Sequence, residues 1–112
     1  MKYALLIYGS APGAADDRPM GAAIAAVLAR PDVVGWVRLR SEASATTVRA
    51  DPPRTVLSDG PFIDSKEFLG GLILIEADNL DGALAIATEL QEQRSLGAIE
   101  VRPVLEQEFG GA

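Results

Sequence analysis

Cysteine and histidine are both missing from this chain. Without cysteine there is no disulfide framework and no thiolate nucleophile. Without histidine the commonest general base, the commonest metal ligand and the usual ionic switch near neutral pH are gone as well. Ser-His-Asp and Cys-His catalytic sets cannot be assembled, nor can a zinc site built on Cys or His. Any acid–base group must therefore be Asp, Glu, Lys or Tyr. Basic charge is also short, with 10 Lys and Arg against 16 Asp and Glu for a net charge of −6. That balance weighs against nucleic acid or an anionic membrane as a direct partner. Carboxylate sites for magnesium or calcium need a cluster of acids, and none has recognisable spacing, so neither metal nor cofactor is expected. Long apolar runs are lacking too. The run after Met1-Lys2 stops at Gly9, short of a secretory core of about 7–15 apolar residues and of the ~20 residues that cross a bilayer. A cytoplasmic protein is the expectation.

What is present suffices for one core. The 112 residues are 48% apolar and 23% charged, an ordinary soluble composition, and splitting them would leave two pieces too small to fold. Residues 1–112 are read as a single domain, with 105–112 as a tail.

The pattern alternates between strand and helix. Lys2 to Tyr8 reads as a strand with Tyr3, Leu5 and Ile7 on one face and Ala4, Leu6 and Tyr8 on the other, both largely apolar. Asp16, Asp17 and Arg18-Pro19 give an acidic, proline-led helix start. Met20, Ile24, Val27 and Leu28 follow as its buried stripe, ended by Pro31. Val33 to Leu39 is a strand carrying Trp36, expected in a core or interface. Thr46 to Arg49 and Thr55 to Leu57 read as a hairpin around a proline-stiffened loop. Leu72 to Ile75 is a strand apolar on both faces. Asn79 is a good N-cap for a helix with stripe Leu80, Ala83, Leu84, Ala87 and Leu90, ended at Gly97. Ile99 to Val104 closes the series, with Ile99 and Val101 on one face and Glu100 and Arg102 on the other.

Without the hairpin the order is βαββαβ, the split arrangement of a ferredoxin-like α+β fold. Both helices then cover one face of an antiparallel sheet and leave the other open. Because two strands are apolar on both faces, a second sheet is expected over the open one, giving a homodimer that resembles a closed α/β barrel.

The chain is organised around the stretch from Ser58 to Gly71. Asp59-Gly60-Pro61-Phe62 is a turn in which Asp bonds nearby backbone, Gly takes an unusual φ and Pro stiffens the exit, anchored by a buried Phe62. The same Asp59 also suits a carboxylate held at a cleft edge, as an acid–base group or substrate anchor. Asp64-Ser65-Lys66-Glu67 fits a capping-box start to a short helical turn. Its Lys66 can pair with Asp64 or Glu100, bind an anionic ligand, or stand solvated. Gly70-Gly71 suits close backbone approach or a bend. Glu100 and Arg102, with Arg49 on a neighbouring segment, fit an interface ion network as well as a binding site. Tyr8 adds a hydroxyl on an aromatic body, with packing as its simpler role.

The run Met1-Lys2-Tyr3-Ala4-Leu5-Leu6-Ile7-Tyr8, then Ala45-Thr46-Thr47-Val48-Arg49, then Asp59-Gly60-Pro61-Phe62 with Ser65-Lys66-Glu67 and Leu69-Gly70-Gly71, and finally Glu100-Val101-Arg102-Pro103-Val104, resembles the DGPF-domain branch of the YCII-related superfamily. Residues 9–40 match least. The resemblance implies a dimeric ferredoxin-like fold and a role beside sigma factors of the extracytoplasmic-function group. Distant relatives use a His–Asp pair, one branch for dehydrochlorination of an aromatic substrate. No histidine exists here to complete such a pair, which leaves Asp59 as the acidic counterpart.

The expectation is a homodimer that binds a small molecule near this turn through Tyr8, Arg49, Asp59, Phe62, Lys66, Glu100 and Arg102. One alternative is a cofactor-independent lyase or hydrolase using Asp59 as the catalytic acid–base with Lys66, Tyr8 or Arg102. Another is a module that binds a transcription factor.

Overall fold

Among the described residues the strands and helices follow one another as β1 (Lys2–Gly9), α1 (Ala22–Leu28), β2 (Val33–Arg38), β3 (Thr46–Asp51), β4 (Arg54–Asp59), β5 (Phe68–Glu76), α2 (Leu80–Glu92) and β6 (Ala98–Pro103). The structure is a computed structural model that describes residues 1–9, 19–62 and 67–108. Four strands form one sheet in the order β2-β5-β1-β6, and β3 and β4 form a separate two-stranded ribbon. Every pairing is antiparallel. This is the ferredoxin-like α+β arrangement expected from the order of elements.

Alternation along β1 sets the layers. Tyr3, Leu5 and Ile7 lie opposite Ile75, Ile73 and Gly71 of β5 and opposite Pro103, Val101 and Ile99 of β6. These side chains face the helices. Tyr3, Leu5, Ile73 and Ile75 form one core with Val27 of α1 and with Ala83, Ile86, Ala87 and Leu90 of α2. Both helices therefore cover the same face. The opposite face carries Ala4, Leu6 and Tyr8, paired with Leu74, Leu72 and Leu69.

Gly70 and Gly71 shape the β1–β5 contact. The register slips between Ile7, opposite Gly71, and Tyr8, opposite Leu69. Gly70 is thus the extra residue of a bulge, a device that re-aims the side chains beside it. A Cβ on buried Gly71 would come within 2.8 Å of the Val37 carbonyl oxygen on β2. The glycine pair does what close backbone approach and a bend require.

Several expectations are corrected. Helix α1 begins at Ala22, three positions beyond Pro19, because Gly21 is still extended (φ −64, ψ 147). Its stripe Ile24, Val27 and Leu28 does pack on the core, while Met20 precedes the helix. Asp16, Asp17 and Arg18 lie outside the described residues. Asn79 caps α2 as expected, accepting from Gly82 N at 3.0 Å. The buried stripe of α2 is Ala83, Ile86, Ala87 and Leu90, with Leu80 and Leu84 exposed, so its inward face is turned from the one expected. That helix ends at Glu92 rather than Gly97. Gly97 instead turns the chain into β6 with φ +85, where a Cβ would overlap the Tyr8 carbonyl oxygen. The ribbon is longer than its alternation suggested, since the ladder runs on to Asp51 opposite Arg54. Pro52-Pro53, joined by a cis peptide bond, is its whole loop. Trp36 is 47% exposed at the edge strand β2 and is not core. No described helix is long and apolar enough to cross a membrane.

Candidate functional site

The end of the sheet where β1 and β2 finish and β5 and β6 begin collects the unusual features. Leu39 N donates to Gly70 O at 2.9 Å, which fastens the exit of β2 to the bulge. The chain then makes a 3-10 turn, Glu42–Ser44, and rises into the β3–β4 ribbon. At the ribbon's foot Gly60 N donates to Ala45 O at 2.8 Å, and Thr47 Oγ1 donates to Gly60 O at 2.7 Å. Gly60 has φ +95, a conformation that glycine takes without steric cost. The turn expected at Asp59-Gly60-Pro61 is therefore closed by Gly60 and Thr47.

Between the ribbon's foot and the start of β5 lies a groove of about 330 Å³. Its apolar side is Leu39, Pro61, Phe68 and Leu69; its polar side is Arg40, Ser41, Glu42, Ser44 and Glu67, with Ala45 between them. That volume is at the small end of ligand pockets, which run from ~300 to ~1,000 Å³ and combine apolar walls with a few polar groups. A larger hollow of about 600 Å³ lies against Pro52, Pro53, Arg54 and Thr55 at the ribbon tip. Four residues around one tight turn cannot enclose a ligand, so the groove is the better candidate.

Of the ligand-binding residues expected from the sequence, none that is described lines that groove. Pro61 does, so the groove adjoins the turn without using Asp59. Asp59 ends β4, exposed and opposite Thr46, and its carboxylate has no hydrogen-bond partner among the described residues. Phe62 is 72% exposed rather than a buried anchor. No described neighbour covers the ring. Tyr8, Glu100 and Arg102 share the open face of the sheet: Glu100 lies opposite Leu6, Arg102 opposite Ala4 and Tyr8 opposite Ala98. Arg102 Nε stands 3.8 Å from Glu100 Oε2, a surface pair. Arg49 belongs to the separate ribbon and joins no ion pair with them. Lys66, with Asp64 and Ser65, lies outside the described residues.

Sequence reasoning missed the wall from Leu39 to Ala45, whose signal was a polar run, Arg40-Ser41-Glu42, placed directly after an apolar strand. Arg94 was missed too. Its Nη2 donates to Tyr8 O at 2.6 Å, and its Nη1 donates to Gln91 Oε1 at 3.0 Å and to Ala98 O at 3.4 Å. Burial pushes its guanidinium down from the usual value. Among the described residues no group of three or more acids could hold a metal ion.

The YCII-related domain profile matches residues 1–108. An uncharacterised protein of Rhizobium meliloti (strain 1021) is 41% identical over 68 residues, which is 60% of this chain and 55% of that protein. The chain thus aligns with little more than half the length of that relative.

Proposed function

Because the chain belongs to the YCII-related family, we propose that it works as a homodimer that binds a small molecule in the groove beside Pro61, within the DGPF branch of that family. The observation that carries the reading is the groove itself. It sets an apolar wall of Leu39, Phe68 and Leu69 against Arg40, Glu42 and Glu67, the mix that orients a ligand with an apolar body and a polar end.

Self-association is supported by the open face of the sheet, where Val37 is 52% and Leu72 37% exposed. A second sheet over that face would make the closed, barrel-like dimer.

In the lyase or hydrolase alternative, Asp59 would have to act from outside this groove; the carboxylates that line it are Glu42 and Glu67. The test is a ligand screen by thermal shift on the native chain and on Ser44→Trp, which fills the groove from an exposed position. Compounds that raise Tm in the native protein should lose that effect in Ser44→Trp. Equal shifts in both proteins would place binding elsewhere and remove the groove from the account.

A further inference from the structure

The groove beside Pro61 holds one charged group that its surroundings leave unanswered. Glu42 opens the 3-10 turn Glu42–Ser44 and lines the groove. It is half-buried, and its carboxylate has no partner among the described residues. Other polar groups of the lining differ, since Arg40, Ser41 and Glu67 each take part in an interaction of their own. Drawing a carboxylate out of water without a partner costs free energy. The turn does not offset that cost, because three residues align too few peptide dipoles to need an acid at their start.

The backbone that carries Glu42 is fastened on both sides. Before it, Leu39 N donates to Gly70 O at 2.9 Å. After it, Ala45 N donates to Glu42 O at 3.0 Å, and Gly60 N donates to Ala45 O at 2.8 Å. The segment is thus tied to β5 and to the foot of the ribbon, and a group on a fixed backbone binds with less ordering cost.

Charge chooses the occupant. Among the described residues the lining has two carboxylates, Glu42 and Glu67, against one guanidinium, Arg40. An anion would set its charge beside two acids for the sake of an arginine that is already engaged. A cation would meet the unanswered Glu42, and a net charge of −6 draws small cations toward the protein. The half-buried Phe68 adds an aromatic ring to the apolar wall, and aromatic faces attract cations too.

We propose that the groove takes a small amphiphilic amine, with its apolar body on Leu39, Phe68 and Leu69 and its ammonium on the Glu42 carboxylate. The inference rests on the small-molecule reading of the groove. It adds the charge of the ligand's polar end and the residue that reads it.

The experiment uses probes that share one apolar body and differ in the head group: phenylbutylamine, phenylbutanol and phenylbutyrate. Binding to the full chain is measured by calorimetry at low ionic strength, where charge is least screened. The proteins are the native chain, Glu42→Gln, Ser44→Trp and the control Glu106→Gln. Glu106 is exposed beyond the Val104–Lys2 hydrogen bond, at the opposite end of the sheet. The native chain should bind the amine about tenfold more tightly than the alcohol, the weight of one charge-assisted hydrogen bond, and the acid most weakly. Glu42→Gln should bring the amine down to the alcohol's affinity and leave the alcohol within about twofold, with native circular dichroism. Glu106→Gln should change neither.

An amine bound no more tightly than the alcohol or the acid would overturn the proposal. So would a preference that survives Glu42→Gln, or one lost equally in Glu106→Gln. If the alcohol still binds the native chain and is lost in Ser44→Trp, the groove stands as a site and only the cation falls. An amine that binds Ser44→Trp as tightly as native would remove groove and proposal together. Failure of every probe to bind would also overturn the amine, and the thermal-shift screen would then decide the groove by itself.

Discussion

Arg94 and Tyr8 lie 86 positions apart in sequence, yet Nη2 of the first donates to the carbonyl oxygen of the second at 2.6 Å. With its bonds to Gln91 Oε1 and Ala98 O, the guanidinium ties the end of α2 to the end of β1 and the start of β6. Its fork geometry makes this possible, because one planar group supplies several fixed donors. Hydrogen bonds from a charged donor contribute about 1.5–3 kcal/mol each at most. Arg94→Met keeps the aliphatic stem and should destabilise the fold by about 1–3 kcal/mol in denaturant melts, with faster amide exchange at Ala98. Arg94→Lys should recover only part of the loss. A Met variant as stable as native would show that the clamp is ornamental.

The glycine pair separates two kinds of constraint. Gly71→Ala would force a methyl to within 2.8 Å of the Val37 carbonyl oxygen, a backbone atom that cannot rotate away. Overpacking of this kind costs about 1–3 kcal/mol. Gly70→Ala meets only Ile7 O at 3.8 Å, an ordinary contact, and should be milder. Thermal melts of the two variants check the order; a reversal would mean that the bulge is drawn wrongly.

Glu76 gives the pH prediction. Its carboxylate is held below the usual range first by the Met1 amine, at 2.9 Å, and then by Lys2, at 3.3 Å. The folded state therefore binds this proton less readily than the unfolded chain does. The stabilisation is complete above the unfolded carboxylate value of about 4.3 and is lost as pH falls through the lower folded value. Native protein should be slightly more stable than Glu76→Gln at pH 7, and the difference should shrink as pH falls below the unfolded carboxylate value and vanish only below the lowered folded one. A Glu76 resonance that titrates at the ordinary carboxylate value would contradict it.

Much of the fold was legible because local patterns coincided with tertiary need. Alternation in Lys2 to Tyr8 groups Tyr3, Leu5 and Ile7 on one face, and because both faces are apolar only the position of the helices decides that this face is the core. Asn79 satisfies a helix N-terminus from its own side chain, so no distant partner had to be known. The face of α2 was less legible, since Leu80, Ala83, Leu84 and Ala87 fit helical spacing as well as Ala83, Ile86, Ala87 and Leu90. Only the position of the sheet decides between them. The groove could not be read at all. Its walls meet because Leu39 pairs with Gly70 across the sheet, a contact between segments that local spacing does not relate. Asp59 attracted attention by its place in a turn, and the hydrogen bonds that close the turn belong to Gly60 and Thr47.

The most direct test of the account is the mass of the native chain by sedimentation equilibrium at micromolar concentration, without ligand. A homodimer built over the open sheet face predicts a species of about twice the 11.8 kDa chain mass. The apolar strip of Leu6, Leu72 and Leu74 is the surface that such a dimer would cover. A single, soluble species at 11.8 kDa would contradict it.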